Sequence, residues 1–332
     1  MVAAAALEKT VREQSAASRF ALRAAALLAL AVSIQAGAAM RVVIVAGLGG
    51  EAQYEERFTK WTEQVTQASA TAAGDASRVQ RLSGTNARRE QIQAALRGAA
   101  QDLKTGDQFV LVLIGHGTFD GNEYRFNIAG PDITATEMGE LLDRIPQGVS
   151  QLVVNATSTS GVLADRWAKS GRIIITATKS GGERNAPRFG GFWAEALVTN
   201  SADRDKDGSV TAQEAYEYAT RKVAESYKSD AAIQSEHPRL AGTAADAGRF
   251  VLARLGAAAL FASDAQLVAL REQQQGIEQR LSDLRMRKID LSENDYYAQL
   301  EPVMLELARL GRRVDARLVA LGARPMGDED AP

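Results

Sequence analysis

The chain has 332 residues, of which 45% are hydrophobic and 24% charged, so it can bury one large core together with an appendage. Its formal net charge of −2 provides no overall basic field, which argues against nucleic acid as a partner. The absence of cysteine excludes disulfides, thiolate metal sites and a cysteine nucleophile, and two histidines are too few for a multi-histidine metal centre.

The first forty residues differ in character from the rest of the chain. Arg19 and Arg23 precede an uncharged run that continues to Ile34 and is followed by small residues with an A-x-A pattern at 36–38. This order is typical of a secretory signal peptide, which we predict over residues 1–39. The protein is then expected to be periplasmic or secreted. The alternative is an uncleaved leader, which would be the only contact with a membrane.

Beyond residue 39, short β-branched apolar runs alternate with helical stretches. The apolar runs predict buried strands at Arg41–Ala46, Phe109–Ile114, Leu152–Val154 and Arg172–Thr178. The stretches between them predict helices at Tyr54–Ala68, Asn86–Leu103, Thr134–Arg144 and Gly161–Ala168. This alternation favours an α/β fold, a three-layer sandwich with a mainly parallel sheet, over residues 40–260. Functional groups are expected at the carboxyl ends of its strands.

The C-terminal part of the chain has a different periodicity. Two apolar series with heptad spacing predict a helical hairpin or coiled coil over residues 263–320, with a capping box at Ser292 and Asp295 starting the second arm. The hairpin is either a structural appendage or a surface that docks a partner. The acidic end, residues 321–332, is expected to be disordered.

An acidic loop lies at residues 203–214, with the sequence DRDKDGSVTAQE. It fits D-x-[DN]-x-[DN]-G-x5-E at every fixed position, which is the pattern of an EF-hand calcium loop. Gly208 permits the sharp turn, and the expected Ca2+ ligands are Asp203, Asp205, Asp207, Ser209, Thr211 and Glu214. One loop without a second favours a structural ion over a signalling switch. The alternative is a solvated acidic turn that binds no metal.

A histidine and a group of hydroxyls follow two of the predicted strands. His116 comes directly after the strand that ends at Ile114, and the segment NATSTSG, from Asn155 to Gly161, follows the next predicted strand. Because functional groups collect at the carboxyl ends of parallel strands, we expect the imidazole and a hydroxyl to meet there. The alternative is that His116 only caps its strand through hydrogen bonds.

These motifs resemble the caspase and legumain group of cysteine peptidases, and bacterial relatives of legumain above all. The likeness covers roughly residues 41–254. It depends on three features: the strand-His-Gly motif at Ile114–Gly117, the Ser-x-Ser-Gly motif at Ser158–Gly161, and the inserted acidic loop at residues 203–214. It implies that His116 is the position of the catalytic base, Gly117 an oxyanion donor and Ser158 the position of the nucleophilic cysteine. If the alignment is shifted by one residue, Thr159 takes the position of the nucleophile instead of Ser158.

The chain departs from that family at the nucleophile. A cysteine thiol is easily ionised, whereas a serine hydroxyl needs a base that removes its proton during attack. Asp120 and Asp132 lie near His116 in sequence as possible orienting acids. We therefore expect a pseudopeptidase that binds a peptide or protein partner. The alternatives are an active hydrolase that uses Ser158 and His116, and an envelope scaffold that acts through the helical hairpin.

His237, Arg184 and Arg188 are further candidates for site residues. His237 precedes a proline, which favours extended backbone, and it fits a surface loop better than an ion site shared with Glu236. Arg184 and Arg188 follow the strand at residues 172–178 and either line a pocket for an acidic substrate or belong to a solvated loop.

Overall fold

The computed structural model describes residues 39–323, so the predicted signal peptide up to Ala38 and the acidic end from residue 324 lie outside it. The predicted α/β fold class is confirmed by a central sheet of six strands. These strands are β1 (Met40–Ala46), β2 (Val79–Leu82), β3 (Gln108–Ile114), β7 (Ser150–Asn155), β8 (Arg172–Thr176) and β10 (Arg239–Ala241).

The strands lie in the order β10-β8-β7-β3-β1-β2. All neighbouring pairs are parallel except β10 with β8, which is antiparallel and forms one edge. Strands β3 and β7 are paired from Gln108 with Ser150 to Leu113 with Asn155. Both strands therefore end at the same edge of the sheet.

Both faces of the sheet are buried, which explains the continuous apolar runs in the strands. Successive side chains of β1 belong to different cores: Val42 and Ile44 to one, Val43 and Val45 to the other. Helices α1 (Ala52–Ala73), α5 (Phe189–Ala196) and α6 (Ala212–Ser229) cover the first face, and α2 (Arg89–Asp102), α3 (Ala135–Leu142) and α4 (Leu163–Trp167) the second. The predicted three layers are present.

Several short elements were not predicted from the sequence, and they include β2 and β10 at the two edges of the central sheet. A small antiparallel sheet follows β3 and consists of β4 (Gly117–Phe119), β5 (Tyr124–Phe126) and β6 (Ile133–Thr134). A two-stranded ribbon joins β9 (Ser209–Thr211) to β11 (Val251–Arg254), and α7 (Ala244–Ala247) precedes β11. Elements of two to four residues are too short to show a hydrophobic period.

The C-terminal segment forms helices, as the heptad spacing predicts. Helix α8 (Gly256–Ser263) leads into an antiparallel pair, α9 (Ala265–Met286) and α10 (Glu293–Ala320). The pair has its own apolar cluster, which includes Leu267, Ile277, Leu310 and Leu318. No helix within residues 39–323 combines the length and the apolar character that a bilayer span needs.

Helix α5 is capped at its N-terminus by a carboxylate from a distant part of the chain. Glu236 is buried, and its two oxygens accept hydrogen bonds from the backbone nitrogens of Arg188 (2.7 Å) and Phe189 (3.1 Å). Burial raises the pKa of Glu236, and these hydrogen bonds oppose the shift without cancelling it. The cap fixes the helix that leads towards the acidic loop.

We expect the native chain to gain stability relative to a Glu236→Gln variant as the pH falls from neutral. Because the folded-state pKa of Glu236 is raised, its stabilising contribution is complete below the unfolded-state pKa and is lost as the pH rises through the folded-state pKa. Urea unfolding of both proteins at a series of pH values measures the difference in their free energies of unfolding. A difference that stays constant over that range would contradict the expectation.

Candidate functional site

The pairing of β3 with β7 brings two chemically distinct segments to one edge of the sheet. The pairing is prolonged beyond the strand ends by a hydrogen bond from the nitrogen of Ala156 to the carbonyl of Leu113 (2.9 Å). His116 follows β3 and the hydroxyl segment 157–160 follows β7. Both segments therefore lie at the carboxyl edge of the sheet, whereas no hydrogen bond within residues 39–323 joins the His116 imidazole to a hydroxyl of the second segment.

The imidazole of His116 is held by a backbone carbonyl and two aromatic rings. Its Nε2 atom lies 3.1 Å from the carbonyl oxygen of Gly49. The rings of Tyr54 and Phe58 stand edge-on to it, with centroids 4.9 and 5.2 Å away. Because a carbonyl oxygen only accepts hydrogen bonds, Nε2 must carry the proton in this arrangement. In the neutral ring, Nδ1 is then the atom that can accept a proton.

The side chain of Ser158 is buried against the residue that follows the histidine. Its hydroxyl donates to the carbonyl of Gly117 (2.9 Å), and the nitrogen of Gly117 lies 3.5 Å from the same hydroxyl oxygen. A side chain at position 117 would come within 2.7 Å of the Ser158 carbonyl, so the contact requires glycine. Among residues 39–323 no hydrogen bond joins Ser158 to His116, and the hydroxyl proton is committed to the backbone.

Thr159, the alternative nucleophile, has an unusual backbone conformation. Its φ of 58° lies in the left-handed region, which costs a residue with a side chain about 1–2 kcal/mol. Its nitrogen donates to the carbonyl of Glu183 (2.9 Å), whereas its buried Oγ1 has no hydrogen-bond partner in the described part of the chain. The turn after β7 is thus strained and incompletely paired, as is common at functional sites.

A buried polar network beneath this turn was not predicted. The hydroxyl of Tyr124 lies 2.7 Å from Oγ1 of Thr157 and accepts from the side-chain amide of Asn155 (3.1 Å). Complete burial raises the pKa of Tyr124 to about 12, against the opposing effect of these hydrogen bonds. The strand-like sequence around Tyr124 gave no signal for the network, since its partners lie about thirty residues away.

The two aspartates considered as orienting acids serve other contacts. Asp120 pairs with Arg125 (2.6 Å) and caps its own turn, and hydrogen bonds from that turn lower its pKa. Asp132 accepts from the side chain of Asn127 (2.8 Å) and the nitrogen of Ile128. Within residues 39–323, neither carboxylate has a contact with the imidazole of His116.

The second histidine also lies on the carboxyl side of the sheet, just before β10. Nδ1 of His237 lies 2.5 Å from Oε1 of Glu183, and the other oxygen of Glu183 accepts from the His237 nitrogen (3.1 Å). Glu183 is the residue whose carbonyl accepts from Thr159, so this pair supports the strained turn. Glu236, considered as its partner in an ion site, caps α5 instead.

A groove of about 810 Å³ lies beside His116 between α1 and α5. Tyr54 lines this groove and also packs on the imidazole. The Trp61 ring forms the floor and lies close to Gly190 and Gly191, where a Cβ atom would come within 3.0 Å of it. Arg188 lines the groove, stacked on Tyr227 and paired with Asp230 (2.6 Å). Arg184 is exposed and does not line it.

The acidic loop brings three of its six predicted ligands together. Asp203, Asp205 and Glu214 each offer one carboxylate oxygen, and these oxygens lie within 4.8 Å of one another. Oδ1 of Asp203 is buried and has no partner among residues 39–323. Carboxylate oxygens are the ligands that Ca2+ prefers, so the donor set and the unpartnered buried oxygen fit that ion.

The remaining predicted ligands make other contacts. Asp207 accepts from the nitrogen of Ser209 (2.7 Å) and is not part of the group of three. Thr211 forms a capping box with Glu214 at the start of α6. Although burial opposes it, hydrogen bonds from the backbone of Thr211 and Arg204 lower the pKa of Glu214.

The loop is tied to the C-terminal part of the chain. Strand β9, within the loop, pairs with β11, and the carbonyl of Gly208 accepts from the nitrogen of Leu255 (2.7 Å). Gly208 has a φ of 80°, and a side chain there would come within 2.9 Å of Ala258 in α8. The sharp turn predicted at this glycine is present, and it packs against the start of α8.

The fold and these two clusters define a mainly parallel α/β protein with a histidine and hydroxyl site at the sheet edge and a separate acidic loop. No family model and no curated protein matches the chain. Among solved structures it is similar to a protein from Geobacter sulfurreducens, at 13% identity over 65% of this chain and 99% of that chain, with a TM-score of 0.45.

Two caspases are also similar to the chain. Caspase-1 from Spodoptera frugiperda is 12% identical over 61% of this chain and 86% of that chain, with a TM-score of 0.43. The protein drICE is 10% identical over 63% of this chain and 89% of that chain, with a TM-score of 0.38. The fold class itself rests on the strands and helices of this chain.

We expect a Tyr124→Phe variant to be less stable than the native chain by about 1–3 kcal/mol, because the buried amide nitrogen of Asn155 would lose the hydroxyl that accepts from it and Thr157 would lose one of its hydrogen bonds. Tyr216→Phe is the control, since its hydroxyl makes a longer bond to Pro238 (3.3 Å) in a half-buried position. Urea unfolding measures both. Equal losses in the two variants would show that the network contributes nothing specific.

Proposed function

We propose that the chain is an exported, calcium-binding homologue of the caspase and legumain-like peptidases that binds a peptide or protein partner without cleaving it. The motif resemblance at His116, Gly117 and Ser158 and the arrangement at the sheet edge support this function. The α/β body would bind the partner, and the acidic loop would hold a structural ion.

One observation carries the loss of cleavage. The Ser158 hydroxyl donates to the carbonyl of Gly117, and Nε2 of His116 faces the carbonyl of Gly49. A serine nucleophile needs a base within hydrogen-bond reach of its proton, and that base is usually oriented by an acid. Here the proton is held by the backbone, and the nearby Asp120 and Asp132 face other groups. A hydroxyl in this state is a poor nucleophile.

Binding of a partner is supported by the groove between α1 and α5. It is open, has a volume of about 810 Å³ and presents the faces of Tyr54, Trp61 and Phe192 together with charged side chains. Aromatic surface beside a few placed charges is the usual composition of a recognition site. Tyr54 lines the groove and also packs on His116, so the groove lies next to the site at the sheet edge.

Binding of calcium is supported by the donor set of the acidic loop. Asp203, Asp205 and Glu214 would hold the ion, with Asp207, the Ser209 carbonyl and Thr211 completing the shell. When bound, the ion would supply positive charge that offsets the repulsion among these carboxylates and orders the loop. Outside the cytoplasm, a site with a Kd of about 10⁻⁴ to 10⁻³ M is still filled.

We expect a fluorophosphonate probe to leave Ser158 unlabelled, because its hydroxyl donates to the carbonyl of Gly117 and no hydrogen bond within residues 39–323 joins it to His116. Mass spectrometry of the native chain and of Ser158→Ala measures the labelling. Labelling of Ser158 that disappears in His116→Ala would contradict the proposal and favour a working Ser-His hydrolase.

A thiol at the same position gives an independent measurement. The native chain has no cysteine, so Ser158→Cys carries a single thiol, and Ser263→Cys places one at an exposed position as the control. We expect Cys modification by iodoacetamide to be at least about tenfold slower at position 158, as for a buried thiol without an activating base. Fast modification at 158 that requires His116 would reveal a functional base.

Calcium should raise the melting temperature of the native chain. At a concentration near 100 times the Kd, a ligand bound only to the folded state stabilises it by about 2.7 kcal/mol, or by roughly 5–10 °C for a domain of this size. Asp203→Asn is expected to lose the rise, and Asp283→Asn in α9, which changes the charge equally, should keep it. Calorimetry that detects no heat and no shift in the native chain would remove calcium from the proposal.

A further inference from the structure

The helical hairpin contains a groove separate from both clusters already described. The groove lies between α9 and α10 and has a volume of about 500 Å³. It is lined by one stripe of each helix, with the spacing of positions i, i+3, i+4 and i+7: Gln273, Gly276, Ile277 and Arg280 on α9, and Glu306, Arg309, Leu310 and Arg313 on α10.

The middle of this groove is a glycine that the hairpin itself does not explain. Gly276 lies near the middle of α9, where glycine is less favourable than alanine. Apart from the adjoining backbone of α9 itself, no atom of the described chain lies within 4 Å of the position that a side chain would take there. A glycine in such a place allows the close approach of another backbone, and within residues 39–323 nothing makes that approach.

The rim of the groove is basic. Arg280 pairs with Glu306 (2.6 Å), and Arg313 donates to Gln273 (3.2 Å), whereas Arg309 has no ion-pair partner among the described residues. Glu306, the single carboxylate on the rim, is thus already paired. Ile277 and Leu310 lie at the bottom of the groove between these charges, where each belongs to the apolar cluster of the hairpin and keeps 4% of its surface exposed.

We propose that this groove binds an acidic amphipathic helix of a partner protein. The apolar side of such a helix would lie over Ile277 and Leu310, with its backbone close to Gly276, and its carboxylates would pair with Arg309 and the neighbouring arginines. A second copy of this chain fits less well, because two such grooves face to face would bring like charges together. The inference does not depend on the function proposed for the sheet edge.

The probe is a fluorescein-labelled amphipathic peptide of about 15 residues, with leucines on one face and glutamates on both flanks, and its control has lysines in place of the glutamates. Fluorescence anisotropy with the full chain measures binding. We expect the acidic peptide to bind at least about tenfold more tightly than the lysine peptide, and its affinity to fall as salt is raised. Equal binding of both peptides, or none of the acidic peptide, would overturn the proposal.

Matched variants test the place of binding. Gly276→Leu fills the groove, and Gly311→Leu adds the same side chain to α10 at another position that has open space around it and does not line the groove. We expect Gly276→Leu to weaken binding at least about tenfold and Gly311→Leu to weaken it less than about twofold. Arg309→Glu should weaken binding to the same extent as Gly276→Leu, and Arg312→Glu, at a neighbouring exposed position, should have as little effect as Gly311→Leu. Circular dichroism checks that both hairpin helices remain.

Two results would contradict the assignment. Equal binding by Gly276→Leu and the native chain would place the peptide elsewhere. Sedimentation that shows a dimer of the native chain, lost on Gly276→Leu and kept on Gly311→Leu, would assign the groove to a second copy.

Discussion

The parallel pairing of β3 with β7 is the constraint on which the sheet-edge site depends. It ends with the hydrogen bond from Ala156 to Leu113, after which one strand leads to His116 and the other to Ser158. The separation of the two segments is then set by the next contact, from the Ser158 hydroxyl to the carbonyl of Gly117. The interaction that brings serine to the histidine loop therefore also occupies the proton that a hydrolase would have to remove.

Strands β1, β3, β7 and β8 of the central sheet and helices α1 to α4 could be predicted because their signal is local, whereas the short edge strands β2 and β10 were not predicted. A strand buried on both faces reads as an unbroken apolar run, as in β1 and β3, and the intervening helices are long enough to show their period. The carboxyl edge as the meeting place of His116 and the hydroxyl segment follows from parallel strands alone. Neither inference needs the rotamer of any side chain.

The state of the site could not be predicted, since it depends on contacts between residues distant in sequence. The carbonyl of Gly49, which holds His116, lies 67 positions away from it, and the Tyr124 network joins the small sheet to the turn after β7. The left-handed conformation of Thr159 has no signal in the sequence either, because positive φ is associated with glycine and asparagine and not with a β-branched residue.

In the acidic loop, too, the local features could be predicted from the sequence and the long-range contacts could not. Its ligand spacing was visible because all the donors lie in one contiguous segment, residues 203–214. Strand β9 pairs with β11, which lies about forty residues further on and does not belong to a second loop of the same kind. Since Gly208 contacts Leu255 and Ala258, the geometry of the loop fixes where α8 begins. The loop thus lies where the α/β body passes into the helical segment, and a change in its conformation would act on the start of α8.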